Sequence, residues 1–134
     1  MVSYRRILLK LSGETLKSDN NNIDPEMLKK VVTIVQSALD LGVEIAIVIG
    51  GGNIYRGAAL ASDGMDKITG DHIGMLATVM NALAISDTFE RNNIPSIVMS
   101  GFAIGGGVCD SFNHTKAKNA LSKGKVVIFS AGTG

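Results

Sequence analysis

Three short stretches of this chain hold the residues able to handle a phosphate. They are Lys10-Leu11-Ser12-Gly13, Gly50-Gly51-Gly52-Asn53 with Arg56, and Ser130-Ala131-Gly132-Thr133-Gly134. Each follows an apolar run of strand type. Glycine has no side chain, so a bulky anion can approach the backbone closely. It also permits the φ > 0 angles that turn successive N–H groups toward one point. Lys10 adds a point charge, Asn53 an amide, and Arg56 a fork of fixed donors. Two stretches bring a cation and none brings a base. Such a site suits phosphoryl transfer, which needs positioning and charge neutralisation more than covalent chemistry. An acceptor that is already an anion, a phosphate or a carboxylate, would need no general base.

Other chemistries lack their residues. There is no G-x-x-x-x-G-K-[ST] run and no G-x-G-x-x-G run, so neither the P-loop nor the dinucleotide fingerprint is present. No His/Cys cluster has metal-ligand spacing, so no metal site is expected on the protein itself. No nucleophile stands with a base.

The elements that must position the three stretches alternate strand and helix. Arg5 to Leu11 reads as a strand broken by Ser12-Gly13-Glu14. Lys17 to Asn22 is polar, Asn-rich loop. Asp24-Pro25-Glu26 is a helix start, with N-cap, proline at the first position and an acid in the first turn. Gly42 is the stop. Val43 to Ile49 is apolar almost throughout, as a strand covered on both faces would be. Arg56 to Ala61 reads as a short helix and Ser62 to Thr69 as loop. A long helix is expected from Asp71 to about Asn92. Its apolar set, including Ile73, Met75, Leu76, Val79, Met80, Leu83, Ile85 and Phe89, is wider than one stripe. One side of it would therefore meet a second layer or a second subunit. Pro95 to Met99 and Lys125 to Ser130 read as strands, with a glycine-rich turn at 101–107 and a helix at 113–122 between them. Strand, helix, strand at this spacing makes parallel, right-handed crossovers. The strand ends, where an α/β sheet binds its ligand, then share one edge.

Bulk properties agree with a cored α/β domain. The chain is 46% hydrophobic and 19% charged, and its net charge of +1 gives no field for nucleic acid. Aromatic residues, at 4%, are too few for base-stacking platforms. A lone cysteine, Cys109, excludes an intrachain disulfide and fits a reducing cytoplasm. No uninterrupted apolar run reaches the roughly 20 residues of a membrane span. The chain stops one turn after a strand, inside the expected site, so residues 1–134 read as the N-terminal part of something longer.

Taken together, Leu9-Lys10-Leu11-Ser12-Gly13-Glu14, Gly50 to Asn53 with Arg56-Gly57, Gly70-Asp71-His72 through Met75 to Thr78, and Ser130 to Gly134 resemble the amino-acid kinase fold family. Gly70-Asp71-His72, Met75 to Asn81 and Val108-Cys109-Asp110 resemble its bacterial uridylate (UMP) kinase branch. The resemblance implies a three-layer α/β/α sandwich around a mainly parallel sheet, incomplete at the C-terminus, with 1–134 as one domain. It implies transfer from ATP to UMP, giving ADP and UDP, with Mg²⁺ accompanying ATP, in pyrimidine nucleotide synthesis. It implies a cytoplasmic homohexamer without membrane or nucleic-acid partners, and a nucleotide effector, GTP or UTP. Residue by residue, it implies that Lys10, Leu11, Ser12, Gly13, Gly52 and Arg56 meet ATP, with Lys10 and Arg56 catalytic. Gly51, Asp71, Thr133 and Gly134 would meet UMP. Lys17 to Asn22 departs from the family, whose members often carry a glycine-containing loop there, linked to activation by GTP.

Plainer readings stand beside these. Lys10 and Arg56 could be solvated cations, the triple glycine a tight turn, and Asp71 a helix cap. Cys109 reads as a small buried hydrophobe, Met75 and Met80 as packing, His72 and His114 as structural or exposed, and Gly105 to Gly107 as a mobile loop. The acceptor could be a carboxylate or carbamate within the same fold, or the chain a nucleotide-binding module without turnover.

Overall fold

The computed structural model describes residues 3–55 and 63–132. Five strands form one sheet: β1 (Arg6–Leu11), β2 (Glu44–Ile49), β3 (Ser96–Ser100), β4 (Asp110–Ser111) and β5 (Val126–Ser130). Their order is β1-β2-β5-β3-β4, and every pairing is parallel. Three helices flank it: α1 (Pro25–Asp40), α2 (Lys67–Arg91) and α3 (His114–Ser122).

The strand order decides the layers. The steps from β1 to β2 and from β2 to β3 run one way across the sheet, and the step from β4 to β5 runs back. Right-handed crossovers then put α1 and α2 on one face and α3 on the other. The two cores follow. Val31, Val35, Ala82, Ile85 and Phe89 pack on Ile45, Ile47, Ile49 and Ile128. Ala117, Ala120 and Leu121 pack on Ala46, Met99 and Val127. Strand β2 feeds both cores, which is why its sequence has almost no polar position. The result is the expected α/β/α sandwich.

Edge strand β1 alternates instead. Ile7, Leu9 and Leu11 join the core under α1 and α2. Arg6, Leu8 and Lys10 point to the other face and are exposed, Leu8 by 62%. Helix α3 packs on β2 and β5 and leaves that part of the sheet open.

Helix α1 begins as its residues dictate. The Asp24 carboxylate accepts the Glu26 N–H at 2.7 Å, and Pro25 needs no partner there. Gly42 leaves the helix end at φ +81°, a conformation that favours glycine.

Helix α2 starts earlier than the sequence suggests. Asp66 caps it, accepting the Thr69 N–H at 3.0 Å, and Lys67 to Thr69 are helical rather than loop. Asp71 is therefore a second-turn residue and not a cap. Gly70 made the segment before Asp71 look broken, since glycine costs a helix about 1 kcal/mol. Packing overrides that preference: a Cβ at Gly70 would stand 3.1 Å from the Tyr55 hydroxyl. By length and mean hydropathy, 1.2 over its most apolar window, this helix could cross a membrane. Its buried face of Ala77, Val79, Ala82, Ile85 and Phe89 makes it a core helix here. Strand β4, only two residues long, has no sequence signature. The short helix expected over 56–61 lies outside the described residues.

Candidate functional site

Strands β1, β2 and β5 are neighbours, so the three phosphate-type stretches leave the same edge of the sheet side by side. The Gly50 N–H donates to the Leu11 carbonyl at 2.9 Å, carrying the β1–β2 ladder one rung into the glycines. Gly13 then opens a 3-10 turn, Gly13–Leu16. A Cβ on Gly13 would fall on Asn53 Oδ1 and 2.7 Å from the Gly52 nitrogen. The first two stretches are thus one continuous backbone surface, and only glycine allows it.

Gly51 is close on its other side. A Cβ there would stand 2.9 Å from Ala77 Cβ and 3.1 Å from the Gly74 carbonyl, both on α2. The Gly51 carbonyl accepts the N–H groups of Ile54 and Tyr55, each at 3.0 Å. The glycines with left-handed φ among the described residues are Gly42, Gly64, Gly106, Gly107 and Gly124. The 50–52 run is not among them. It is glycine for close approach to β1 and α2, and the expectation that φ > 0 angles shape an N–H nest there is corrected.

Asn53 also differs from expectation. It does not offer its amide to a ligand. It is buried, and its Nδ2 donates to the Asn22 carbonyl at 2.8 Å and to Asn81 Oδ1 at 3.0 Å. Asn81, wholly buried, donates in return to Asn53 Oδ1 and to the Gly50 carbonyl, both at 2.7 Å. All four amide hydrogens are used. Two backbone carbonyls fix which end of each amide is nitrogen. Sequence reasoning missed Asn81. The signal was there: one amide between the apolar positions Val79, Ala82 and Ile85.

The third stretch is held by the same helix. The Ala131 N–H donates to Thr78 Oγ1 at 2.8 Å. Ser130 Oγ donates to the Met99 carbonyl at 3.0 Å, and the Ser130 carbonyl accepts the Gly101 N–H at 3.0 Å.

The proposed ligand-facing residues divide as follows. Lys10 and Ser12 are exposed at the edge, Leu11 is half-buried and Gly13 is buried. Ser12 Oγ lies 3.4 Å from Thr15 Oγ1. Gly51 and Gly52 are half-buried between them and α2. Asp71 stands on the part of α2 that packs along Tyr55, half-open to solvent, with Lys67 Nζ 2.9 Å from its Oδ2. That contact raises the Lys67 ammonium above its usual range. Arg56, Thr133 and Gly134 lie outside the described residues.

No group of three His, Cys, Asp or Glu able to hold a metal stands together among the described residues. The edge carries Lys10, hydroxyls and glycines, which do not fit a protein-held magnesium. A separate groove of about 470 Å³, lined by Asn113, Lys116, Asn119, Lys123 and Lys125, runs the length of α3. It lies along α3, on the face of the sheet away from α1 and α2.

Known proteins resemble this chain over its whole length. The family model described as "Amino acid kinase family" matches residues 5–134. A uridylate kinase of Ruthia magnifica subsp. Calyptogena magnifica is 66% identical over 134 residues, all of this chain and 56% of that protein. One from Stutzerimonas stutzeri is 56% identical over 132 residues, 98% of this chain and 53% of that protein. The crystal structure of a Bacillus anthracis UMP kinase matches with a TM-score of 0.90 at 34% identity, covering 97% of this chain and 54% of that one. That of an isopentenyl phosphate kinase shares the fold alone, at a TM-score of 0.60 and 16% identity. The chain spans about half the length of the curated relatives it matches. The matched model covers nearly every residue of the sheet, the helices and the strand-end site, and the chain belongs to the amino acid kinase family.

Proposed function

We propose that the full-length protein transfers a phosphoryl group from ATP to UMP, giving ADP and UDP for pyrimidine nucleotide synthesis. The observation that carries this reading is the shared edge of β1, β2 and β5. It brings an exposed lysine and two glycine turns together without a base. An acceptor phosphate is already a nucleophile, so the site needs only to align it and spread charge. The relatives named uridylate kinase support UMP as that acceptor.

In this reading Lys10 meets the transferring group, and Leu11, Ser12, Gly13, Gly52 and Arg56 hold the ATP phosphates. Gly51, Asp71, Thr133 and Gly134 hold UMP. Asp71 must then exchange Lys67 for the nucleotide, which its half-open position on α2 permits. Magnesium enters with ATP and is held by the nucleotide. Copies of the chain assemble, to a hexamer, through the exposed stripe Ile68, Leu76 and Met80 of α2. A nucleotide effector, GTP or UTP, is part of the same proposal, and the protein works in the cytoplasm.

The test is Lys10→Met in the full-length protein. The expected result is a kcat about 10²–10³-fold lower, with UMP affinity changed less than about threefold. Equal losses in turnover and in UMP binding would contradict the role given to Lys10.

A further inference from the structure

One face of α2 holds both ends of the site. Thr78 and Asn81 are three residues apart, so they lie one above the other on the helix. Asn81 reaches the β2 end, donating to the Gly50 carbonyl and to Asn53, both at 2.7 Å. Thr78 reaches the β5 end, accepting the Ala131 N–H at 2.8 Å. The Thr78 hydroxyl hydrogen goes to the Met75 carbonyl at 2.6 Å, which leaves its oxygen lone pairs to face Ala131.

Ala131 itself is unusual. Its φ of 49° is left-handed, a conformation that a residue with a Cβ keeps only when its surroundings hold it. Thr78 holds its nitrogen. On the other side a Cβ at Gly101 would collide with its carbonyl oxygen. The chain leaving β5 toward Gly132 therefore takes its direction from a side chain on α2.

We propose that Thr78 and Asn81 are positioning residues for phosphoryl transfer. Between them α2 sets the separation of the β2 glycine turn from the β5 turn, and so the register of donor and acceptor phosphates. The inference rests on the reading above that the β2 turn meets both nucleotides and the β5 turn meets UMP. Neither residue touches substrate in this scheme. Each acts through the turn that it ties down. Displacing such a turn by an ångström costs a reaction of this type up to about 10²-fold.

The test uses the full-length protein with Thr78→Val, which keeps the shape and removes the hydroxyl, and Thr78→Ser, which restores it. Amide exchange at Ala131 should quicken in Thr78→Val and recover in Thr78→Ser. The KM for UMP should rise about tenfold with kcat reduced and the KM for ATP unchanged, and serine should rescue both. A merely structural role would lower the active fraction and leave both KM values alone, and that result overturns the proposal. Unchanged exchange at Ala131 overturns it as well. If the unaltered protein forms no UDP, the functional reading fails instead. Exchange at Ala131 together with direct titration of UMP and ATP then decides the positioning role: equal affinities in wild type and Thr78→Val would sink it. Asn81→Asp, which loses the donor to Gly50, is the second variant and should lower kcat with its effect on the glycine turn rather than on Ala131.

Discussion

Gly51→Ala asks whether the glycine turn is held by contact or by backbone angle. The added Cβ would stand 2.9 Å from Ala77 Cβ, 3.1 Å from the Gly74 carbonyl and 3.3 Å from the Thr78 nitrogen. Carbon atoms rest about 3.5–4.0 Å apart, so the first contact is short by about 0.6 Å or more. None of the three atoms can rotate away, because two are helix backbone and the third is a Cβ. The turn or α2 must shift bodily. Overpacking of that kind costs about 1–3 kcal/mol. In the full-length protein, taken at the length of its relatives, of which this chain is 56%, the usual unfolding entropy converts this to a fall in Tm of about 2–6 °C. The control is Gly105→Ala, whose Cβ meets nothing within 4 Å. Thermal unfolding of both variants, followed by circular dichroism, separates the cases. ADP release measured on the same samples should fall about tenfold or more in Gly51→Ala only. A Gly51→Ala protein that melts with the Gly105→Ala control and turns over normally would refute the close-approach argument.

Two further outcomes concern the scaffold. Phe89 is wholly buried where α2 meets the sheet, so Phe89→Ala should cost about 3–5 kcal/mol in a urea titration, and a loss near zero would mean that α2 is not the core helix described. Acid should weaken the fold through two helix caps. Hydrogen bonds from Ser18 and from the Glu26 N–H hold the Asp24 carboxyl below its ordinary 3.8, and the Thr69 N–H and hydroxyl do the same for Asp66. The unfolded chain then binds more protons just below 3.8, so the caps contribute fully above that pH and their contribution is lost as pH falls through the lowered values. Asp24→Asn with Asp66→Asn should flatten the drop in urea midpoint between pH values near 5 and near 3, and an unchanged acid limb would count against both caps.

Much of this fold is legible in local chemistry. Asp24-Pro25 announces its helix because a cap needs only neighbours in sequence. Val43 to Ile49 announces a strand covered twice because both faces demand apolar residues. The edge shared by Lys10, Gly50 and Ser130 follows from parallel crossovers alone. What stayed hidden depends on partners far along the chain. Gly70 looks like a break until Tyr55 is seen against it. Asn53 looks like a ligand donor until Asn81, 28 residues on, takes its amide. Thr78 looks like an ordinary helical threonine until Ala131, 53 residues on, donates to it. The triple glycine leaves the edge that β1, β2 and β5 share, and it is glycine for a reason the sequence could not display. The missing side chains at Gly50 and Gly51 make room for Gly13 and α2 as much as for a phosphate.

The central claim is transfer from ATP to UMP at the edge of β1, β2 and β5, and one measurement tests it most directly. The full-length protein is given ATP and magnesium with UMP, aspartate, acetylglutamate or carbamate in separate reactions, and products are followed by phosphorus NMR. The account predicts UDP and ADP in equal amounts with UMP and no phosphorylated product from the other acceptors. Turnover of a carboxylate or carbamate in place of UMP, or nucleotide binding with no product from any acceptor, would contradict it.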